Sequence, residues 1–160
     1  MSEPTDAWQA PQPEAGPAPG MAFASPGSRL IAYILDIVIQ FVIVITLGTL
    51  AVVFGAIFFL IGTLFALGVI AVTVGYFPYF WTRSGQTPGM SKMKIKVVRD
   101  ADGGPLTVGQ AVLRLIGLWI GLAVFYIGVI WIFIDKRKRG WQDLFGGTVV
   151  VDVPPAEYVA

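Results

Sequence analysis

The sequence predicts an all-α membrane protein with three hydrophobic helical segments and short cytoplasmic β-strands. Two segments form a hairpin of spans, and the third is a span or a re-entrant helix. Three observations carry this. Hydrophobic residues make up 56% of the 160-residue chain, charged residues only 13%, and the mean hydropathy is +0.75, whereas average soluble domains carry ~25% charged residues. Leu30–Thr82 holds a single charge, Asp36; as one helix it would be ~80 Å long against a ~30 Å hydrocarbon core, so it must cross twice. A third apolar run, Leu115–Ile134, has no charge.

Residues 1–27 read as a disordered tail, because Pro4, Pro11, Pro13, Pro17, Pro19 and Pro26 alternate with Ala, Gly and Gln and such a segment buries too little apolar area to offset its ordering entropy. The spans fall near 30–52, 59–81 and 113–134, with an apolar turn near Val53–Ala56. The first is too long for a signal peptide and no Lys or Arg precedes Arg29, so it should stay as an uncleaved anchor. Gly48, Gly55, Gly62, Gly68 and Gly75 recur about every seven residues, spacing that lets helices approach closely in lipid. Pro78 should kink the second span near its end, where Tyr76, Tyr79 and Trp81 read as an interfacial aromatic belt. In the connection 83–111, Gly85-Gln86-Thr87-Pro88-Gly89 is a tight loop, and Lys92–Val97 alternates with period two, a short strand with Lys92, Lys94 and Lys96 on one face. Asp100–Pro105 is turn chemistry. After the third segment come the basic run Lys136, Arg137, Lys138 and Arg139 and a second strand-like run, Gly146–Val151. Residues 154–160 are a loose tail.

Flanking charge sets orientation. The tip of the first hairpin has no Lys or Arg, while residues 83–111 carry Arg83, Lys92, Lys94, Lys96 and Arg99. The N-terminus and that connection should therefore be cytoplasmic. A third full crossing, the path we expect, then places Lys136–Arg139 outside, against the rule. The alternative is a kink near Gly128 and a return, which keeps every basic cluster inside and lets the strand at 148–152 pair with the one at 93–98. The basic side chains Lys92, Lys94, Lys96, Lys136, Arg137, Lys138 and Arg139 are expected to contact anionic lipid headgroups.

Arg29, Tyr33, Asp36 and Gln40 lie on one narrow stripe of the first helix, at offsets of four, seven and eleven. A charge within a span is costly and needs a partner. Asp36 lies ~9 Å below Leu30, where it can act in either of two ways. It can titrate as a proton or cation site lined by Tyr33 and Gln40, or it can pair with Arg29, Arg114 or Gln110 and hold helices together. Asp143 should bond back to Arg29 or to the basic run. The chain has no cysteine and no histidine, which removes thiol chemistry, disulfides and the commonest base and metal ligand. Asp135 and Asp143 are too few oxygen ligands for a metal site. No G-x-S-x-G, H-E-x-x-H, P-loop or G-x-G-x-x-G occurs, so no enzymatic activity, no cofactor and no metal are expected. Net charge is +1, which gives no field for nucleic acid.

Taken in order, these residues resemble the RDD family of small bacterial integral membrane proteins. Arg29 and Asp36 in SRLIAYILD match its first-span arginine and aspartate. Asp143 in WQDLFGGTVVV matches its later aspartate, and Gly85–Gly89 before a basic strand and Arg114 opening the third segment also fit. The likeness covers roughly 24–153 and implies a transmembrane domain over 28–153 in a bacterial inner membrane. Gln142 stands where many members carry histidine, which weighs against a proton relay there. The family has no established general activity; what the resemblance implies is transport of an unspecified ligand, with sodium/proton exchange in some members.

Two functions remain in view. One is a structural or accessory membrane component with an intramembrane Arg/Asp network of Arg29, Tyr33, Asp36, Gln40, Arg114 and Asp143. The other is a transporter of ions or small solutes using Asp36. Three spans without an internal repeat are few for a carrier, so the transporter reading requires a homo-oligomer or a membrane protein partner, and the accessory reading has the chain gather partners or anionic lipid.

Overall fold

The computed structural model describes residues 16–153. The described residues begin with a turn at Gly16–Met21, and Phe23 then bridges Val151. Two long helices follow, α1 (Pro26–Gly55) and α2 (Phe59–Arg83). A single-turn helix, α3 (Pro88–Lys92), leads into β1 (Ile95–Arg99). The third apolar segment contains α4 (Val108–Ala123), α5 (Ile127–Ile130) and a 3₁₀ turn at Trp131–Phe133. A short helix, α6 (Trp141–Gly146), precedes β2 (Thr148–Asp152).

The expected tail is shorter than residues 1–27. Ser25 caps α1 by accepting from the Ser28 N–H at 3.1 Å, and Pro26 takes the first helical position, where its missing N–H costs nothing. The helix thus starts four residues before the expected span. Ala24 is fully buried and its N–H donates to the Val150 carbonyl at 2.9 Å, which seats this stretch along β2. Residues 1–15 and 154–160, expected as tails, lie outside the described residues.

α1 and α2 are each long and apolar enough to cross a membrane. Their outer faces are large hydrophobic side chains such as Phe41, Val52, Phe59 and Leu60, all exposed, the surface a lipid solvent requires. They close on each other where Gly55 meets Gly62. A Cβ on Gly62 would stand 2.4 Å from the Gly55 Cα, so this crossing tolerates glycine alone. Gly68 lies against Leu47, whereas Gly48 and Gly75 have nothing within 4 Å of a Cβ, so only part of the glycine series serves packing. Pro78 lies inside α2, which continues to Arg83.

The third segment corrects the expected straight crossing. A Thr107–Gln110 capping box starts α4, but the helix stops at Ala123. Phe125 and Tyr126 then take left-handed backbone (φ 48° and 61°), and the chain turns through 113° between α4 and the α5–3₁₀ piece. Glycine makes the turn close. A Cβ on Gly128 would lie 2.4 Å from the Gly121 Cα and 3.1 Å from the Trp141 Cβ. α6 returns along α4, with Gly117 so near that a Cβ there would meet Gln142 and Phe145 at 2.9 Å. β2 then pairs antiparallel with β1, Ile95 opposite Asp152 and Arg99 opposite Thr148. Both ends of the segment therefore reach the same sheet, as the fold-back alternative requires.

The first strand is displaced from the expected Lys92–Val97. Lys92 ends α3 and Lys94 has positive φ (54°), so the pairing begins at Ile95. Ile95 and Val97 point into a core with Trp81, Met90, Leu106, Leu115 and Val150. The buried core thus lies at the sheet end of the molecule.

Single cysteines at Phe58, Ser91 and Lys136 in this cysteine-free chain should report the path. With a membrane-impermeant maleimide, positions 91 and 136 should label from one side and position 58 from the other. Labelling of 91 and 136 from opposite sides would restore the straight third span. Separately, Gly128→Leu should destabilise the fold by ~1–3 kcal/mol, the usual cost of overpacking, read as a lower thermal midpoint in detergent.

Candidate functional site: two buried carboxylates

The stripe on α1 resolves into two networks at the sheet end. The first centres on Asp143, at the third position of α6, where its Oδ2 accepts from the Gly140 N–H at 3.0 Å. Both of its oxygens are also bound by arginines, Arg29 on Oδ2 and Arg114 on Oδ1. Arg29 additionally donates to the Lys138 carbonyl, and Arg114 donates to the Thr148 hydroxyl at 2.6 Å. Arg114 lies over the Trp81 ring, 4.7 Å from its centroid, a cation–π contact. Arg29, Arg114 and Asp143 are at most 2% exposed. Burial alone would push the Asp143 carboxyl up, but Arg114, Arg29 and the Gly140 N–H outweigh it and hold it below the ordinary carboxylate range.

The second network surrounds Asp36, nearly two turns further along α1 than Arg29. Its Oδ1 accepts from the Tyr76 hydroxyl at 3.0 Å and from the Gly89 N–H at 2.8 Å, and the Thr87 hydroxyl donates to Oδ2. Thr87 also accepts from the Met90 N–H at 3.2 Å, capping α3. The loop is pressed hard onto α1: a Cβ on Gly89 would stand 2.2 Å from the Ala32 carbonyl oxygen. Asp36 therefore does not pair with Arg29, Arg114 or Gln110; its three donors are neutral. Gln110 is occupied by the α4 cap.

The other stripe residues stand apart from both carboxylates. Gln40 donates to the Val72 carbonyl at 3.1 Å, and Tyr33 accepts from Gln142 at 3.4 Å. Tyr76 and Trp81, read as an interfacial belt, are instead buried, serving Asp36 and Arg114; Tyr79 is exposed. Thr87, Gly89 and Thr148 were legible only as turn and strand residues.

Of the basic side chains, Lys92, Lys94 and Lys136 are exposed and Lys96 and Lys138 half-buried. Arg137 and Arg139 are engaged by protein rather than left for headgroups alone. Arg137 pairs with Asp100 at 2.9 Å and lies 5.4 Å from the Phe23 centroid; Arg139 pairs with Asp135 at 3.1 Å. Among the described residues no group of acidic side chains could hold a metal ion.

Asp143→Asn should cost ~3–5 kcal/mol at neutral pH, because two buried guanidiniums lose their counter-charge. Since the folded carboxyl lies below the unfolded value of ~3.9, its contribution is present above that pH and lost as pH falls below it. The stability gap between wild type and variant, measured by thermal unfolding in detergent, should narrow below pH ~4. A gap unchanged to pH 3 would contradict the ion triad.

No curated protein and no solved structure matches the chain. The family model described as "RDD family" matches residues 23–147, which takes in Arg29, Asp36, Arg114 and Asp143. The chain belongs to the RDD family.

Proposed function

We propose that this RDD protein is a structural or accessory component of a bacterial inner membrane, without catalytic activity, built to hold an interfacial sheet against a membrane-embedded helical hairpin. One observation carries the reading. Every oxygen of the two buried carboxylates is taken by donors from the chain itself, and those donors tie α1 to α2, α3, α4 and α6. A substrate-binding carboxylate needs acceptor capacity turned toward a cavity. The crevice of about 310 Å³ nearby is lined by Tyr33 and Gln40, with Asp36 not on its wall. Charge supports an N-terminus at the cytoplasmic face: Arg83, Lys92, Lys94, Lys96, Arg99 and Lys136–Arg139 gather at the sheet end, while the α1–α2 tip has no Lys or Arg. Association with further copies or with a membrane protein partner belongs to this reading, as do anionic lipid headgroups at the basic side chains.

A second reading, cation/proton exchange through Asp36, draws on the neutrality of its donors, since no fixed cation holds this carboxylate ionised. The two separate cleanly in variants. Asp36→Asn keeps an acceptor for Tyr76 and Gly89, and the Thr87 hydroxyl can turn to accept from the amide, so this variant should fold. Asp36→Leu orphans three buried donors at ~1–3 kcal/mol each and should extract poorly.

In liposomes under sodium or potassium gradients with a trapped pH dye, the accessory reading expects no proton movement above empty vesicles for wild type or Asp36→Asn. Proton flux in wild type, lost in an Asp36→Asn variant that extracts normally, would overturn it in favour of exchange.

A further inference from the structure

The crevice that Asp36 does not use has a definite shape. It lies between α1, α2 and the folded-back third segment, with Ile34, Ile37, Phe77, Leu118, Trp119 and Leu122 among its walls. Along α1 it runs from Leu30 to Gln40, ten residues or ~15 Å. That is half of a ~30 Å hydrocarbon core, the depth of one leaflet. Its volume, about 310 Å³, is at the small end of the ~300–1,000 Å³ of ligand pockets.

The shallow end of the crevice, at Leu30, is one residue from the contact of α1 with the basic turn. Leu30 follows Arg29, whose guanidinium donates to the Lys138 carbonyl. On that turn Arg137 and Arg139 are committed to Asp100 and Asp135, and Lys138 shares its charge with Asp152. Lys136 is exposed. A slot of single-leaflet depth in an apolar surface, with the basic turn bonded to α1 next to its interfacial end, fits a lipid in which an acyl chain is joined to an anionic headgroup.

We propose that this crevice is a specific phospholipid site: one acyl chain occupies the slot between α1, α2 and the third segment, and an anionic headgroup rests on Lys136 and Lys138. The proposal rests on the membrane placement given above, with the sheet end at the headgroup level, but it does not depend on whether Asp36 moves ions. The site gives the re-entrant segment a ligand that fills the gap its turn leaves against α1.

Trp119 on the wall, 53% exposed, is the reporter. Wild type and Trp119→Phe are reconstituted in phosphatidylcholine vesicles containing brominated-chain phosphatidylglycerol or brominated-chain phosphatidylcholine. The quenching lost with Trp119 should saturate at low mole fraction of the anionic lipid and need several-fold more of the zwitterionic one. Lys136→Gln/Lys138→Gln should erase that preference while Ile37→Trp, which fills the slot, should abolish the saturable component; circular dichroism and elution volume report that both variants fold. Equal, non-saturating quenching by the two lipids would overturn the proposal, since Trp119 would then face only bulk lipid. So would protection of Trp119 from both lipids with cross-linking between copies through a cysteine at Leu122, which would make the slot a protein interface. Proton flux in the separate liposome assay would overturn the accessory reading and leave this result standing.

Discussion

The ion triad at Asp143 fixes the shape of this protein. A single carboxylate from the C-terminal quarter of the chain is bonded by Arg29 at the start of α1 and Arg114 in α4. Stripping all three charges of water costs several kcal/mol per ion, offset only if geometry and further hydrogen bonds are good. Here Gly140, Thr148, the Lys138 carbonyl and the Trp81 face supply those further contacts. Asp143 can reach the head of α1 only if the third segment comes back. The triad and the straight crossing are thus mutually exclusive, and the 113° turn with its Gly121–Gly128 contact is the form the chain takes. The same turn removes the conflict with flanking charge that a third span creates.

The triad by itself is unbalanced, with two cations for one anion. Asp36, a second buried carboxyl, touches neither arginine. Seven residues from Arg29, it lies ~10 Å further along α1. Its direct partners are a hydroxyl from α2, a hydroxyl from the loop and a backbone N–H. The two carboxylates therefore do different work. Asp143 holds distant segments by charge, and Asp36 docks the Gly85–Gly89 loop by hydrogen bonds that only a glycine at 89 allows.

This division marks where the sequence was legible. Two spans, two strands and the polar stripe follow from hydropathy, period and helical offsets, because lipid leaves few alternatives for a long apolar run. The stripe offsets say that Arg29, Tyr33, Asp36 and Gln40 share a face, but not that Arg29 and Asp36 meet different neighbours. That depends on contacts 40 to 114 residues away in sequence. The third segment misleads for a related reason. Its length and composition suit one span, and the break rests on two left-handed aromatic residues, Phe125 and Tyr126, that carry no local turn signal. Tyr76 and Trp81 sit where belt aromatics sit, yet the carboxylate and the guanidinium beside them draw both inward.

In lipid, apolar contact between helices gains little over apolar contact with acyl chains, so association falls to close packing and polar bonds. Both kinds are unevenly spread here. The sheet end holds Arg29, Asp36, Arg114 and Asp143 and the core around Trp81, Ile95 and Val150. The far end of the hairpin is held by the Gly55–Gly62 approach and the Phe54–Phe65 stack at 5.8 Å. Stability should therefore fall from the sheet toward the tip, and the tip, fringed by exposed Val52, Ile57, Phe59 and Leu60, is free to adapt to whatever lies beside it. A chain arranged this way keeps its charged machinery at one membrane face and leaves its apolar length to lipid or to a partner's helix. The polar residues secure the fold, and the apolar surface is what the chain presents to its surroundings.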